Sequence, residues 1–374
     1  MISICKTGAC TGCMACLNVC KKDAISIKET LQSVTAVIDE NKCIHCGACT
    51  RVCPNNQVVE KKAPIAWYQG WSTDQEIRKA SSSGGLASEI SRSFILGGGV
   101  VCSCVFSNGK FIFEIADSVE QAQMFAGSKY VKSAPGMIYG EIQERLKKGQ
   151  RVLFIGLPCQ VAGVKNYIPD MLKTHLYTID LICHGTPSPV VLQRFIKDHG
   201  YDMKGLESIK FRNGSSMGLH ANNGIKFSMS GTKDRYLISF LNAINYTDNC
   251  YQCQYATEKR ISDITLGDSW GSDLGQEIWK GISLILVQSQ KGREILDASD
   301  VQLLDVDLEK AKQQNGQLTH PSEAPASRED FFAELERHKK YDRCVMKAFP
   351  KQCIKELAKG IAIATHLFPD RSDS

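Results

Sequence analysis

The chain has no run of about 18 apolar residues, the length a membrane-spanning helix needs. Its most apolar stretch, Phe94 to Phe106, is interrupted by Gly97-Gly98-Gly99. No G-x-G-x-x-G opens a helix after a strand-like run, and no G-x-x-x-x-G-K-S/T occurs, so neither a Rossmann dinucleotide site nor a P-loop is expected. A strong excess of one charge is also missing. Forty-five Lys and Arg face 40 Asp and Glu, a net +5, and the basic residues are dispersed apart from doublets such as Lys21-Lys22 and Lys61-Lys62. That gives nucleic-acid binding little support. The N-terminus enters a cysteine-rich stretch with no signal-like segment before it, so a cytoplasmic, reducing compartment is expected.

Cysteine, by contrast, is abundant, with 17 residues. Nine of them fall in the first 53 positions, and eight of these form two runs. Cys10, Cys13, Cys16 and Cys20 are spaced C-x2-C-x2-C-x3-C, and Cys43, Cys46, Cys49 and Cys53 repeat that spacing with Pro54 behind. This is the two-cluster bacterial ferredoxin pattern, in which the fourth cysteine of each run ligates the other cubane. Cluster one is therefore expected on Cys10, Cys13, Cys16 and Cys53, and cluster two on Cys43, Cys46, Cys49 and Cys20. Gly12, Ala15, Gly47 and Ala48 leave room for backbone to crowd the inorganic core. Zinc sites use separated C-x2-C pairs rather than two runs of four. Asp23-Ala24-Ile25 and Asn55 to Val59 read as the short strands closing such a module. Lys21 stands where proline is common, which loosens a turn but removes no ligand.

At 374 residues the chain exceeds one ferredoxin module, and the expected division is 1–62, 63–320 and 321–374. The fold class expected is α+β: a ferredoxin-like two-cluster domain, an α/β domain with a mixed sheet, and a helical C-terminal tail. Ala63-Pro64 starts a linker, with Trp67, Tyr68 and Trp71 packing either between the two parts or in a plain core. Val100 to Phe106 and Phe111 to Ala116 read as strands around an Asn108-Gly109 turn. Arg151 to Leu157 and Leu176 to Cys183 read as further strands, with a helix starting beside Cys159. Ile209 to Arg212, Ile264 to Leu266 and Ile282 to Gln288 complete the strand-like runs. Helices are expected over Leu86 to Leu96, Pro189 to His199, Arg293 to Ala298, Arg328 to Lys340 and Ile354 to Phe368.

Within the long second part, Ser81-Ser82-Ser83-Gly84-Gly85 precedes a helix and offers hydroxyls and N–H groups to a phosphate, with Gly84 allowing close backbone approach. The alternative is an ordinary serine cap. Cys159 and Cys183 follow two strands whose ends lie together if those strands are parallel neighbours. Cys250 and Cys253 form an isolated C-x2-C. The four are either one further cluster or two buried cysteines beside a zinc knuckle. Cys102 and Cys104 read as core; Cys5, Cys344 and Cys353 have no evident partners.

Several motifs together resemble the beta subunit of coenzyme F₄₂₀ hydrogenase/dehydrogenase, a family related to 7-hydroxymethyl chlorophyll a reductase. They are Ser82 to Gly85, Gly127 to Val131, Gly156 to Gln160, Asp180 to Gly185 and Asp263 to Gly271. The resemblance implies a non-Rossmann FAD site with an iron–sulfur cluster beside it. Carried onto this sequence, it implies FAD contacts from Ser82, Ser83, Gly84, Gly85, Ser128, Lys129, Tyr130, Asp268 and Trp270, and a third 4Fe–4S cluster on Cys159, Cys183, Cys250 and Cys253. The activity implied is an FAD and iron–sulfur oxidoreductase. It links ferredoxin, another low-potential carrier or a reduced deazaflavin to a small-molecule two-electron acceptor. An electron-entry subunit without its own substrate and a redox sensor are the alternatives, and the substrate, direction of flow and oligomeric state are open. His184 is read either as a proton donor or as a hydrogen-bond donor to cluster sulfur.

Overall fold

The computed structural model describes residues 4–213, 216–222, 224–229 and 231–365. The cysteine-rich segment is built on two near-identical turns. The helices Ala15–Val19 and Ala48–Val52 each start from a left-handed residue, Met14 (φ 61°) and Gly47 (φ 70°). Each ends at an extended cysteine, Cys20 or Cys53. The fourth cysteine of each run is thus carried one short helix away from the first three. Strand β1 (Ile25–Glu29) closes the module, as expected, but its partner is β2 (Val34–Ile38), paired antiparallel. The alternation of Val34, Ala36 and Ile38 toward the core marks β2 as a half-buried strand. The expected strand over Asn55 to Val59 does not form; backbone N–H groups of Asn56 and Gln57 fold back onto Cys53 in a turn.

The long second part is organised by an eight-stranded mixed sheet. In chain order its strands are β3 (Ala66–Ser72), β4 (Val100–Ser107), β5 (Lys110–Ala116), β6 (Val152–Gly156) and β7 (Leu176–Leu181). A smaller antiparallel sheet intervenes, β8 (Ile209–Asn213), β9 (Ser216–Ala221) and β10 (Ile225–Lys226). Strands β11 (Ile264–Asp268), β12 (Ser283–Val287) and β13 (Val301–Leu304) complete the large sheet, whose order is β13-β3-β12-β11-β7-β6-β4-β5. β4, β6, β7 and β11 run parallel. β3 runs with them across the antiparallel β12. The β4–β5 hairpin turns at Asn108 (φ 49°) and Gly109 (φ 74°), the paired left-handed conformation an Asn-Gly turn supplies. Trp67, Tyr68 and Trp71 lie in β3, inside the sheet, not between the two parts. The run Ala66 to Ser72 is too short and too mixed in polarity to separate from a linker by sequence.

Period-two alternation sorts the sheet's side chains onto two cores. Val101, Leu153, Ile155 and Ile179 face the helices Leu86–Leu96 and Gln290–Asp297. Val100, Cys102, Val152 and Phe154 face the helices Ile138–Lys147 and Pro158–Tyr167, and this second core also contains Cys13, Cys16, Ile25, Val52 and Cys53. The ferredoxin-like module therefore shares a core with the sheet. Polar contacts fix it there: Tyr139 Oη donates to Cys13 O at 2.9 Å and Asn18 Nδ2 to Gly136 O at 2.7 Å. Lys62 and Arg260 exchange backbone hydrogen bonds.

The C-terminal segment is helical but packed. The expected helix from Arg328 to Lys340 stops at Glu336, with His338 left-handed beyond it (φ 59°), and a separate helix, Tyr341–Ala348, follows. The last helix is Pro350–Ala364, and residues 366–368 lie outside the described residues. Phe331, Phe332, Tyr341, Cys344 and Cys353 join Phe195, Phe211 and Tyr236 in a third core, so Cys344 and Cys353 are packing residues. Among the described residues no helix is long and apolar enough to cross a membrane.

Candidate iron–sulfur and flavin sites

The parallel strands β6, β7 and β11 end at one edge of the sheet, and most chemistry-bearing residues gather there, as open α/β sheets arrange their sites. Pro158 at the first turn of its helix places Cys159 directly beyond β6. Cys183 follows β7. Cys250 and Cys253 arrive on a short 3₁₀ turn, Asp248–Gln252. All four line one cavity of about 290 Å³. Its other wall includes Ala9 and Thr11 of the first cysteine run and Asn55 behind Cys53. The strand ends thus meet the C-x2-C pair, and the pocket they form abuts the ferredoxin-like module.

The four sulfurs suit a soft thiophilic centre. Burial pushes the Cys183 thiol up to about 12 and raises Cys159 and Cys253 as well. Among the described residues no three Cys, His, Asp or Glu side chains close around a single ion. A cubane separates its ligands to its corners, so the thiols need only face a common void. Arg260 braces the loop carrying Cys253. Its guanidinium donates to Asp180 Oδ1 on β7 at 3.2 Å and to the carbonyls of Tyr255 and Leu181.

Cys10, Cys13, Cys16 and Cys53 line a second, smaller void, so the fourth cysteine of the second run does reach the first three of the first run. Its volume is about 20 Å³, room for about one water, so a cubane would press these side chains outward. Cys5 lines the same void. Its thiol hydrogen-bonds to Cys10 and Cys53, and Asn55 Nδ2 lies 3.7 Å from its sulfur. That contact lowers Cys10 to about 6 and Cys53 to about 7. The remaining run is at the other end of the module. Cys46 is exposed and Cys20, Cys43 and Cys49 are half-buried, with the His45 N–H 3.4 Å from Cys43 Sγ.

The residues the resemblance assigns to FAD lie along the same sheet edge in two groups. Ser82 Oγ accepts from Ser128 N–H at 2.7 Å, which joins the Ser82–Gly85 loop to Gly127-Ser128. Ser83 Oγ donates to Ile282 O, and Gly84 N–H to Ser283 Oγ. Ser283 pairs in register with Asp268, so the loop sits beside the end of β11. The reason for Gly84 differs from the expectation: a Cβ there would lie 2.4 Å from Gly70 O, so close strand packing, and not phosphate approach, excludes a side chain. Gly85 (φ 82°) starts the helix Leu86–Leu96 without a side-chain cap, leaving its first N–H groups open to an anion. Lys129 is occupied by protein carbonyls, Phe125 O at 2.6 Å and Ala126 O at 2.9 Å, and burial lowers it to about 8.

The second group is Tyr130, Asp268 and Trp270, and Arg212, which the resemblance does not assign, pairs with Asp268. Tyr130 stacks on Phe240 with ring centres 4.4 Å apart. Arg212 Nη1 meets Asp268 Oδ2 at 2.9 Å, while its buried Nε has no hydrogen-bond partner among the described residues. Trp270 is 43% exposed in the turn after β11. An open helix start and an unpartnered guanidinium N–H on one edge fit the phosphates and polar rim of a dinucleotide.

Comparison with known proteins bears on both parts. Residues 149–311 match the model of the coenzyme F₄₂₀ hydrogenase/dehydrogenase beta subunit, C terminus, and residues 9–57 match a 4Fe–4S dicluster domain. The chain thus carries a segment that matches a 4Fe–4S dicluster domain, followed by a longer one that matches the C-terminal domain of the coenzyme F₄₂₀ hydrogenase/dehydrogenase beta subunit. The first match is to an iron–sulfur domain and the second to a subunit of a redox enzyme family.

Over 189 residues it is 21% identical to one subunit of the F(420)H(2) dehydrogenase of Methanosarcina mazei, covering 46% of this chain and 53% of that one. Over 56 residues it is 39% identical to one subunit of the ion-translocating oxidoreductase complex of Methanosarcina acetivorans, covering 15% of this chain and 19% of that protein. The chain thus spans about half or less of the length of these curated relatives. A chain in the structure of the F₄₂₀-reducing [NiFe] hydrogenase complex from Methanosarcina barkeri is similar at 18% identity and TM-score 0.45, over 69% of this chain and 91% of that one.

Lys132, Tyr139, Arg212, Arg260 and Gly163 bear on these sites and were not singled out from sequence. Each acts through a partner more than 20 positions away, which spacing alone does not reveal. A Cβ on Gly163, in the helix behind Cys159, would sit 3.2 Å from Cys13 Sγ.

Proposed function

We propose that the chain is an iron–sulfur flavoprotein oxidoreductase. It passes electrons between a low-potential carrier such as ferredoxin, or a reduced deazaflavin coenzyme, and a two-electron acceptor. The observation that carries this reading is the convergence of Cys159, Cys183, Cys250 and Cys253 on a cavity whose far wall is the Cys10–Cys53 module. When bound, 4Fe–4S clusters carry single electrons and FAD holds one or two, which turns two single transfers into one hydride-equivalent step.

The chain's own residues supply order, insulation and charge. Cys20, Cys43, Cys46 and Cys49, with Cys46 exposed, form the end open to a protein carrier. Cys10, Cys13, Cys16 and Cys53 would hold the next cluster, with Cys13 and Cys53 buried in the shared core that excludes water. The pocket thiols would hold the third. Ser82 to Gly85, Ser128, Tyr130, Asp268 and Trp270 would bind FAD, with Arg212 added to that set. Lys129, fixed to two carbonyls, would shape the loop that carries Ser128 and Tyr130.

The test is anaerobic purification of the full chain, followed by flavin extraction and reduction with reduced ferredoxin. The reading expects FAD, bleached through the clusters, and Cys13→Ser slowing that bleaching while direct chemical reduction of the flavin persists. Absence of flavin after reconstitution would remove the oxidoreductase reading. A second reading, an electron-entry subunit of a larger complex, draws on the relative named as part of a dehydrogenase. A stoichiometric partner in a native pull-down, with no acceptor turnover by the isolated chain, would favour it.

A further inference from the structure

Lys132 lies between the two thiol-lined sites and is 3% exposed. Its backbone N–H donates to Pro187 O at 2.9 Å, which pins this stretch to the turn after Cys183. Its Nζ reaches both ways. It donates to Thr11 O, inside the first cysteine run, at 3.1 Å, and to Asn249 Oδ1, next to Cys250, at 3.3 Å. A Cβ on Gly12 would meet Val34 Cγ1 at 2.9 Å, with the Lys132 stem at ordinary contact distance, 3.4 Å, from the same point. Both of these acceptors are neutral oxygens, so neither cancels the ammonium charge.

A buried ammonium is costly unless negative charge surrounds it. The negative groups here are sulfurs. Burial opposes the charge, while the sulfurs of Cys250, Cys159, Cys183 and Cys10, negative once they are ligating thiolates, favour it and raise the lysine above its usual range. Those four belong to both sites, three to the pocket and one to the first ferredoxin-type set.

We propose that Lys132 is the electrostatic link between the first ferredoxin-type cluster and the pocket cluster, its fixed buried charge raising the reduction potential of both. This rests on the cluster assignments above. Reduction adds one negative charge to a cluster, and a cation fixed nearby in low dielectric favours the more negative form. The set of Cys20, Cys43, Cys46 and Cys49 is not among the largest influences on the lysine, so its potential serves as an internal control. Lys132 is a positioning residue for charge and not a ligand.

The experiment is a redox titration of the full chain, followed by electron paramagnetic resonance, for Lys132→Gln, Lys132→Met and Lys132→Arg. Iron is counted in each, about twelve per chain at four per cubane. Lys132→Gln retains a donor for Thr11 and Asn249 while removing the charge. With iron complete, two of the three potentials should fall in the Gln and Met variants, the third should stay, and Arg should restore both. The falls should persist in high salt, because a buried charge is poorly screened. Full iron with unmoved potentials would reduce Lys132 to a staple between the two parts, as would an Arg variant falling as far as Gln. If the unsubstituted chain holds fewer than about twelve irons, the cluster reading fails, and this inference with it.

Discussion

Gly163 and Tyr139 show how single side chains seat the first cysteine run. Tyr139 is fully buried, and its hydroxyl donates to Cys13 O and lies 3.2 Å from Gln160 O. Tyr139→Phe leaves those carbonyls without their donor, a loss of about 1–3 kcal/mol by thermal or denaturant unfolding. Gly163→Leu would drive a side chain into Cys13 Cβ at 3.0 Å and Sγ at 3.2 Å. Anaerobic iron analysis should then find about four irons fewer per chain, one cubane's worth; unchanged iron would mean that the two parts can separate at this seam. The ligand runs themselves were legible because a cubane dictates close cysteine spacing. Cys5 was not, since its approach to Cys10 and Cys53 depends on how the turn after Cys53 folds back through Asn55 and Asn56.

At the scale of elements, the strands over Val100 to Ala116, Val152 to Gly156 and Leu176 to Leu181 were readable from apolar runs and an Asn-Gly turn. Their pairing into parallel neighbours is what brings Cys159 to Cys183, as the strand ends suggested. β3 reads as linker in the sequence because its identity as a strand comes from β12 and β13 on either side. Arg260 links elements directly, since Asp180 on β7 is fully buried and its Oδ2 has no partner among the described residues. Arg260→Met should cost about 3–5 kcal/mol in unfolding free energy, because it leaves a buried carboxylate unpaired.

His199, closing the helix Pro189–Asp198, faces Asp342 of the helix Tyr341–Ala348 at 3.4 Å, and that hydrogen bond raises its pKa above 6.5. A raised histidine stabilises the fold below its unfolded value and loses that contribution as pH rises through the folded one. The midpoint of unfolding should therefore drop more between pH 6 and pH 8 in the native chain than in His199→Gln. The effect is small because the pair is partly exposed.

For the whole molecule, the module and the sheet share one core, so the pocket is completed only when both are folded. Proton linkage follows from the thiols lining it. Cys13 and Cys183, both pushed up to about 12 by burial, hold protons in the metal-free protein at neutral pH, and cluster assembly must displace them. Anaerobic reconstitution should load iron more completely at pH 8.5 than at pH 6.5. The metal-free fold has the opposite dependence: its stability from these neutral thiols is present below 9.0 and is lost as pH climbs toward 12.

The central claim is a third cluster at the sheet edge, and iron stoichiometry in the intact chain tests it most directly. Full-length protein and the Cys159→Ser/Cys183→Ser double variant would be purified anaerobically and compared for iron and for ferredoxin-type resonance signals. The account predicts about twelve irons falling to about eight, with the signals of the N-terminal pair retained. About eight irons in both proteins would contradict it.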